Sequence, residues 1–284
     1  MIQPVPLPAY PNVRQAIFIL LGFFAMQMLA GGGLAFLHKA LGLGKDQITA
    51  LAIVVGNVLM FLILTRTRRM PFASMFQASP LPAIETFAAL LLPLLMIVPL
   101  LVLLLEAIVN MAAIIWPMSA RQEAMFAMLV NSGPVMLLTT CIFAPLFEEM
   151  LYRGIILRSF LQQFPRWIAI LASAILFGAV HMNLYQFIGA TLIGCLLGFL
   201  YERTRSLAPC IVLHVLNNTM ACLWPDTVWW QTEGSAPWVA AVVVIGIAGV
   251  WMLARALEEV ALLTTFRQRL ADGQAPVAVE VDAR

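Results

Sequence analysis

The chain has 284 residues, 62% of them hydrophobic and 11% charged, with a formal net charge of +2. A soluble domain carries about 25% charged residues, so this composition, with a mean hydropathy of +0.95, excludes an ordinary soluble globule and indicates an integral membrane protein. No basic run is long enough to act as an arm, which argues against nucleic acid as a partner and leaves membrane lipid as the surroundings.

Taken in chain order, the apolar runs predict an all-α fold, a polytopic membrane bundle of about eight transmembrane helices. Their approximate limits are 14–37, 47–65, 84–106, 133–157, 167–183, 185–202, 206–224 and 237–256. The first run, "AIFILLGFFAMQMLAGGGLAFL", follows Arg14 as a signal peptide would. It continues through Leu37, well beyond a signal core of about 7–15 residues, and is expected to be a retained helix. The loop "TRTRRMPFASMFQASPLP" is basic and then amphipathic, and reads equally as a segment lying on the cytoplasmic leaflet or as a solvated flank. The third run, "AALLLPLLMIVPLLVLLL", is followed by a further apolar stretch to Trp116, consistent with one long tilted helix or with a re-entrant piece. The loop "PDTVWWQTEG" places two tryptophans where an interfacial aromatic belt would lie. After Glu258 the chain reads as a short surface helix, and "ADGQAPVAVEVDAR" as a loose tail.

All but Lys39, Lys45 and Arg121 of the 16 basic residues fall on one side of this arrangement. The positive-inside rule then predicts both termini in the cytoplasm, and in a bacterial cell a multi-pass protein of the plasma (inner) membrane. Cys141, Cys195, Cys210 and Cys222 all lie in apolar spans with no CxxC or finger spacing, and read as small buried hydrophobes.

A charged side chain at membrane depth costs about 2.5–3.5 kcal/mol on insertion scales, so the polar residues inside spans call for a reason. The first half offers little beyond Gln27, Asn57, Glu106 and Asn110; the second holds three clusters. In "CIFAPLFEEMLYRG", Glu149 and Arg153 stand at i and i+4 with the acid first, the favourable order for an ion pair. Glu148 points about 100° away and finds Ala144 and Tyr152 at its own i−4 and i+4 positions. Without a local counter-charge, it is the acid suited to handling a proton. Pro145 cannot donate to the carbonyl of Cys141 and is positioned to kink the helix ahead of the acids. In "LFGAVHMN", Phe177 and His181 share a face and Gly178 permits close helix approach. In "LHVLNN", His214 and Asn218 share a face, with Asn217 beside them. Each cluster alone has a bland reading, as a helix-end charge, a satisfied core histidine or an interhelical polar contact. Three of them within about 70 residues of an otherwise apolar chain point instead to one polar site inside the membrane.

Read as EExxxR, FxxxH and HxxxN in order, these residues resemble the CPBP family of CAAX proteases and bacteriocin-processing (Abi) enzymes, with the type II CAAX prenyl endopeptidases among its members. The resemblance covers about residues 133–225, the expected catalytic core, flanked by N-terminal transmembrane helices and amphipathic loops (1–132) and by a last helix and tail (226–284). It implies an intramembrane endopeptidase acting on a peptide or membrane protein, with or without a lipid chain. Glu148 and His181 would activate water, and His214 and Asn218 would stabilise the oxyanion. Glu149 and Arg153, with Phe177 and Asn217 beside the motif residues, would orient that set. No cofactor is required on this reading; a zinc-dependent variant would use Glu148, His181 and His214, although HExxH is absent. A non-enzymatic immunity or scaffold protein is the alternative from another class, and a transporter a third. One geometric difficulty accompanies this reading. Glu149 lies about 13 Å along its helix from Arg158, and His214 about 13 Å from Arg205, but His181 about 22 Å from Arg166. The fifth helix must therefore start below the membrane surface, tilt, or end at a sunken cavity.

Overall fold

The computed structural model describes residues 9–130, 133–223 and 234–274. The first two helices are α1 (Val13–Leu41) and α2 (Lys45–Arg68). A short turn, α3 (Phe72–Phe76), precedes the long α4 (Ala83–Ile115), and α5 (Ala120–Val130) follows it. The continuous helical run Pro134–Gln163 is α6; then come α7 (Arg166–Ala179), α8 (Leu184–Thr204), α9 (Ala208–Leu223) and α10 (Ala236–Ala271). No strand occurs among the described residues, and the all-α membrane bundle read from the sequence is the fold observed.

Among the described residues six helices are long and apolar enough to cross a membrane: α1, α2, α4, α6, α8 and α10. The predicted fifth and seventh spans exist as helices but are short. At 1.5 Å per residue, the 14 residues of α7 reach about 21 Å and the 16 of α9 about 24 Å, below the ~30 Å of hydrocarbon. This removes the depth difficulty. α7 ends at Ala179, the chain turns through Met182 at a φ of 50°, and Asn183 caps α8 by accepting from the backbone of Tyr185 and Gln186. His181 therefore sits in a turn beyond the end of a truncated helix.

The stretch to Trp116 belongs to α4, which runs unbroken for 33 residues despite Pro93 and Pro99, so the re-entrant alternative does not apply. The expected separate surface helix after Glu258 is likewise part of α10, a single helix of 36 residues. These two long helices pack along each other. Gly249 makes the approach possible, because a Cβ there would lie 2.8 Å from Cβ of Met96. Near their ends Arg267 meets Glu85 at 2.6 Å.

The core gathers around α6, α7, α8 and α9, where Ile156, Leu157, Phe160, Leu197, Tyr201 and Leu213 are buried. α1 packs chiefly on α2 and otherwise presents exposed Phe18, Met28, Leu29 and Phe36, as a lipid-facing helix does. The loop after α2 follows neither sequence reading in full. Met75 and Leu81 are buried in the protein, Ala78 donates its N–H to the Arg205 carbonyl at 2.8 Å, and Leu207 donates to Phe76 at 2.9 Å. A bridge between Gln77 and Ser206 completes this lock onto the turn between α8 and α9. The same end of the bundle gathers basic residues, with Arg68 over the Tyr10 ring at 4.0 Å and Arg166 against Glu202 at 3.4 Å. The tryptophan loop 225–233 and the tail 275–284 lie outside the described residues.

Candidate active site

The EExxxR segment is wound unusually. Within α6, Thr139–Phe143 and Met150–Leu157 are π-helical, and only Ala144–Glu149 between them is α-helical. π-helical turns inside α-helices are rare and concentrate at functional sites. The first has a traceable cause. Ala144 donates to Thr139 in the i→i−5 pattern, so the next partner in that register, the Thr140 carbonyl, would need an N–H from Pro145, which has none. Asn218 of α9 supplies it, donating Nδ2–H to the Thr140 oxygen at 3.1 Å. The kink expected at Pro145 is thus a change of register, and the carbonyl it frees is that of Thr140 rather than Cys141.

Glu149 is wholly buried. Its Oε1 accepts from Arg153 Nη1 at 2.8 Å, as the i,i+4 spacing predicts, and also faces His214 Nδ1 at 2.7 Å. Arg153, buried too, donates Nη2 to the carbonyl of Gly194 on α8 at 3.0 Å. One acid therefore ties α6 to both α8 and α9. Glu148 is 33% exposed, and its Oε2 stands 3.6 Å from His214 Nε2. Glu148, without a partner on its own helix, thus has one across the bundle, beyond hydrogen-bond length but within reach of a small shift.

Phe177 is the hub. The rings of His181 and His214 stand edge-on to it at centroid distances of 5.4 and 5.5 Å, so the histidines can lie no further apart than those two distances together. The Arg153 guanidinium lies 4.9 Å from the same ring and Tyr152 5.0 Å. His181 Nδ1 faces the Phe177 carbonyl at 3.0 Å. A carbonyl accepts only, so Nδ1 carries the hydrogen and Nε2 presents the lone pair. Gly178 holds this end of α7 against α8, since a Cβ there would lie 2.8 Å from the Phe187 carbonyl oxygen.

The residues singled out in the sequence divide as follows. Glu148, Glu149, Arg153, Phe177, His181 and His214 lie around one ring and its neighbours. Asn218 sits one turn further along α9, with one amide hydrogen on Thr140 and its Oδ1 3.4 Å from Asn217 Nδ2. Glu148, His181 and His214, the residues named for zinc, do not form a metal-binding group, and no three His, Cys, Asp or Glu among the described residues do. Thr140, Gly194 and Ser173, whose hydroxyl donates to the Tyr152 carbonyl at 3.2 Å, were missed in the sequence. All three act through or upon backbone carbonyls of a neighbouring helix, which leave no mark in residue type.

Comparison with known proteins bears on this same segment. Residues 130–220 match a family described as Rce1-like, type II CAAX prenyl endopeptidase Rce1-like. Over 94 residues the chain is 30% identical to "Putative membrane peptidase YdiL" of Bacillus subtilis (strain 168), covering 33% of this chain and 38% of that protein. No solved structure matches.

Proposed function

We propose that the protein is an intramembrane endopeptidase of the CAAX-protease (CPBP) kind, a reading supported by the match of residues 130–220, and that Glu148 and His181 activate the attacking water. The observation that carries this reading is the gathering of both histidines on Phe177 with Glu148 3.6 Å from His214. Glu148 is the acid with room for water, because it alone of the two glutamates is partly exposed.

The lone-pair nitrogen of His181 and the Glu148 carboxylate orient a water, and Glu148 takes its proton as oxygen attacks the scissile carbonyl carbon. The negative oxygen of the tetrahedral intermediate is held by His214, which as an imidazolium donates Nδ1–H to Glu149 and Nε2–H to that oxygen, and by the second Asn218 amide hydrogen. Donors held in place before the reaction pay little reorganisation, which makes them effective. When the C–N bond breaks, Glu148 returns the proton to the departing amine. Glu149 and Arg153 hold the His214 ring at the required angle through Nδ1.

The substrate is a membrane protein or membrane-associated peptide, with or without a lipid chain. Comparing membrane proteomes of cells carrying the native protein or Glu148→Gln tests the reading. New shortened C-terminal peptides only with the native protein support it, whereas identical peptide sets together with full phenotypic rescue by Glu148→Gln would replace it with a binding or immunity role. Activity that survives chelator but not Glu148→Gln separates the metal-free mechanism from a zinc-dependent one.

A further inference from the structure

Two cysteines beside the site take no part in the reaction described above. Cys141 lies in the first π-helical stretch of α6, one residue past Thr140, and Cys222 lies on the last turn of α9, four residues past Asn218 and hence on the same face. Thr140 and Asn218 are themselves joined at 3.1 Å, which fastens this end of α6 against this end of α9. The two segments that carry them pack directly on each other, and the two side chains are neighbours across that seam. Cys141 is buried and Cys222 half-buried. Of the remaining two, Cys210 donates to the Leu197 carbonyl at 3.4 Å, and Cys195 lies on α8 next to Gly194, whose carbonyl accepts from Arg153.

We infer that Cys141 and Cys222 are a disulfide-forming pair, an oxidation site that staples α6 to α9 one turn from the Asn218–Thr140 contact. A disulfide needs Cα atoms about 4.4–6.8 Å apart and facing Cβ atoms. Two helices in direct contact, with these side chains as neighbours across the seam, can approach that geometry. The oxidant is a small external disulfide. Cys222, the more exposed thiol, loses its proton and attacks one sulfur of that disulfide, releasing one thiol and leaving a mixed disulfide. Cys141, as thiolate, then attacks the Cys222 sulfur and releases the second thiol. The two protein thiols give up two protons and two electrons, and the oxidant leaves as two thiols. Both residues lie towards the end of the bundle away from Arg158 and Arg205. Under the positive-inside orientation that is the non-cytoplasmic end, where disulfides persist. The pairing does not depend on the peptidase reading.

The test uses the full-length protein in detergent, incubated with dithiothreitol or with oxidised glutathione, then denatured and labelled with a maleimide polymer that adds a gel shift per free thiol. The native chain, with its 4 cysteines, is expected to take four labels when reduced and two when oxidised. Cys195→Ser/Cys210→Ser is expected to fall from two labels to none, and Cys141→Ser/Cys222→Ser to keep two throughout. Peptide mass mapping of the oxidised native chain is expected to recover a 141–222 crosslink and guards against misfolding of the variants. Four labels after oxidation, glutathione retained on Cys222 as the end product, loss of label that follows Cys195 or Cys210, or covalent dimers would each overturn the assignment.

Discussion

Glu148 and Glu149 are adjacent in the chain and opposite in surroundings, one partly open and one sealed between Arg153 and His214. Their neutral amides are therefore expected to fail differently. Glu148→Gln keeps shape and removes the proton acceptor, so turnover is expected to fall by about 10²–10⁴-fold with the thermal midpoint unchanged. Glu149→Gln leaves a buried guanidinium without its counter-charge, a loss of about 3–5 kcal/mol seen as a lower melting temperature in detergent, with activity falling as well. Equal thermal destabilisation by both would assign the pair a structural role only. Phe177→Ala removes the ring on which both histidines rest and is expected to destabilise by about 3–5 kcal/mol. The division of labour between the acids was legible in the sequence, because i,i+4 geometry is local. The link from Glu149 to His214 crosses 65 residues and was not, since no periodicity reports which helix faces which.

Among the elements, α6 depends on α9 for its winding. Asn218→Leu strips the Thr140 carbonyl of its donor and is expected to cost about 1–3 kcal/mol. In a Pro145→Ala background residue 145 regains an N–H, and the same Asn218 substitution is expected to cost measurably less. A double-mutant cycle by chemical denaturation measures that coupling, and strict additivity would show that Asn218 does not stand in for the missing proline donor. At Gly178, Ala is expected to push α7 off α8, costing about 1–3 kcal/mol and displacing His181 three residues on. The helix starts follow the apolar runs within a few residues, whereas α4 and α10 continue well past the predicted ends. The π-helical register was beyond reach, because proline only announces that a bond is missing; which carbonyl is freed depends on the amide that another helix brings to it.

For the molecule as a whole, composition was enough to read a membrane protein and its helical class. The lengths of α7 and α9 were not, since apolar loop residues such as Val180 and Met182 extend a hydrophobic run past the true helix end. Nor was the docking of Met75 and Leu81, whose amphipathic setting suits a protein groove as well as a lipid surface. Orientation rests on the basic end. With Arg66, Arg68, Arg158, Arg166, Arg203 and Arg205 in the cytoplasm, epitopes at either chain end are expected to stay hidden from membrane-impermeant reagents until cells are opened. Labelling of intact cells at one end only would mean an odd number of crossings.

α7 turns Trp167, Ile168, Leu171 and Ile175 outward, and those side chains expect acyl chains as neighbours. Yet a rod of about 21 Å cannot match a ~30 Å slab, and lipid must make up the difference by pinching inward beside it. Bilayer thickness thereby becomes a variable of the chemistry. In vesicles of increasing acyl-chain length the His181 turn is drawn further below the headgroups and away from water, and hydrolysis is expected to slow while the fold persists. The lipid composition of a membrane would then set the rate of the proposed hydrolysis without touching any residue of the site.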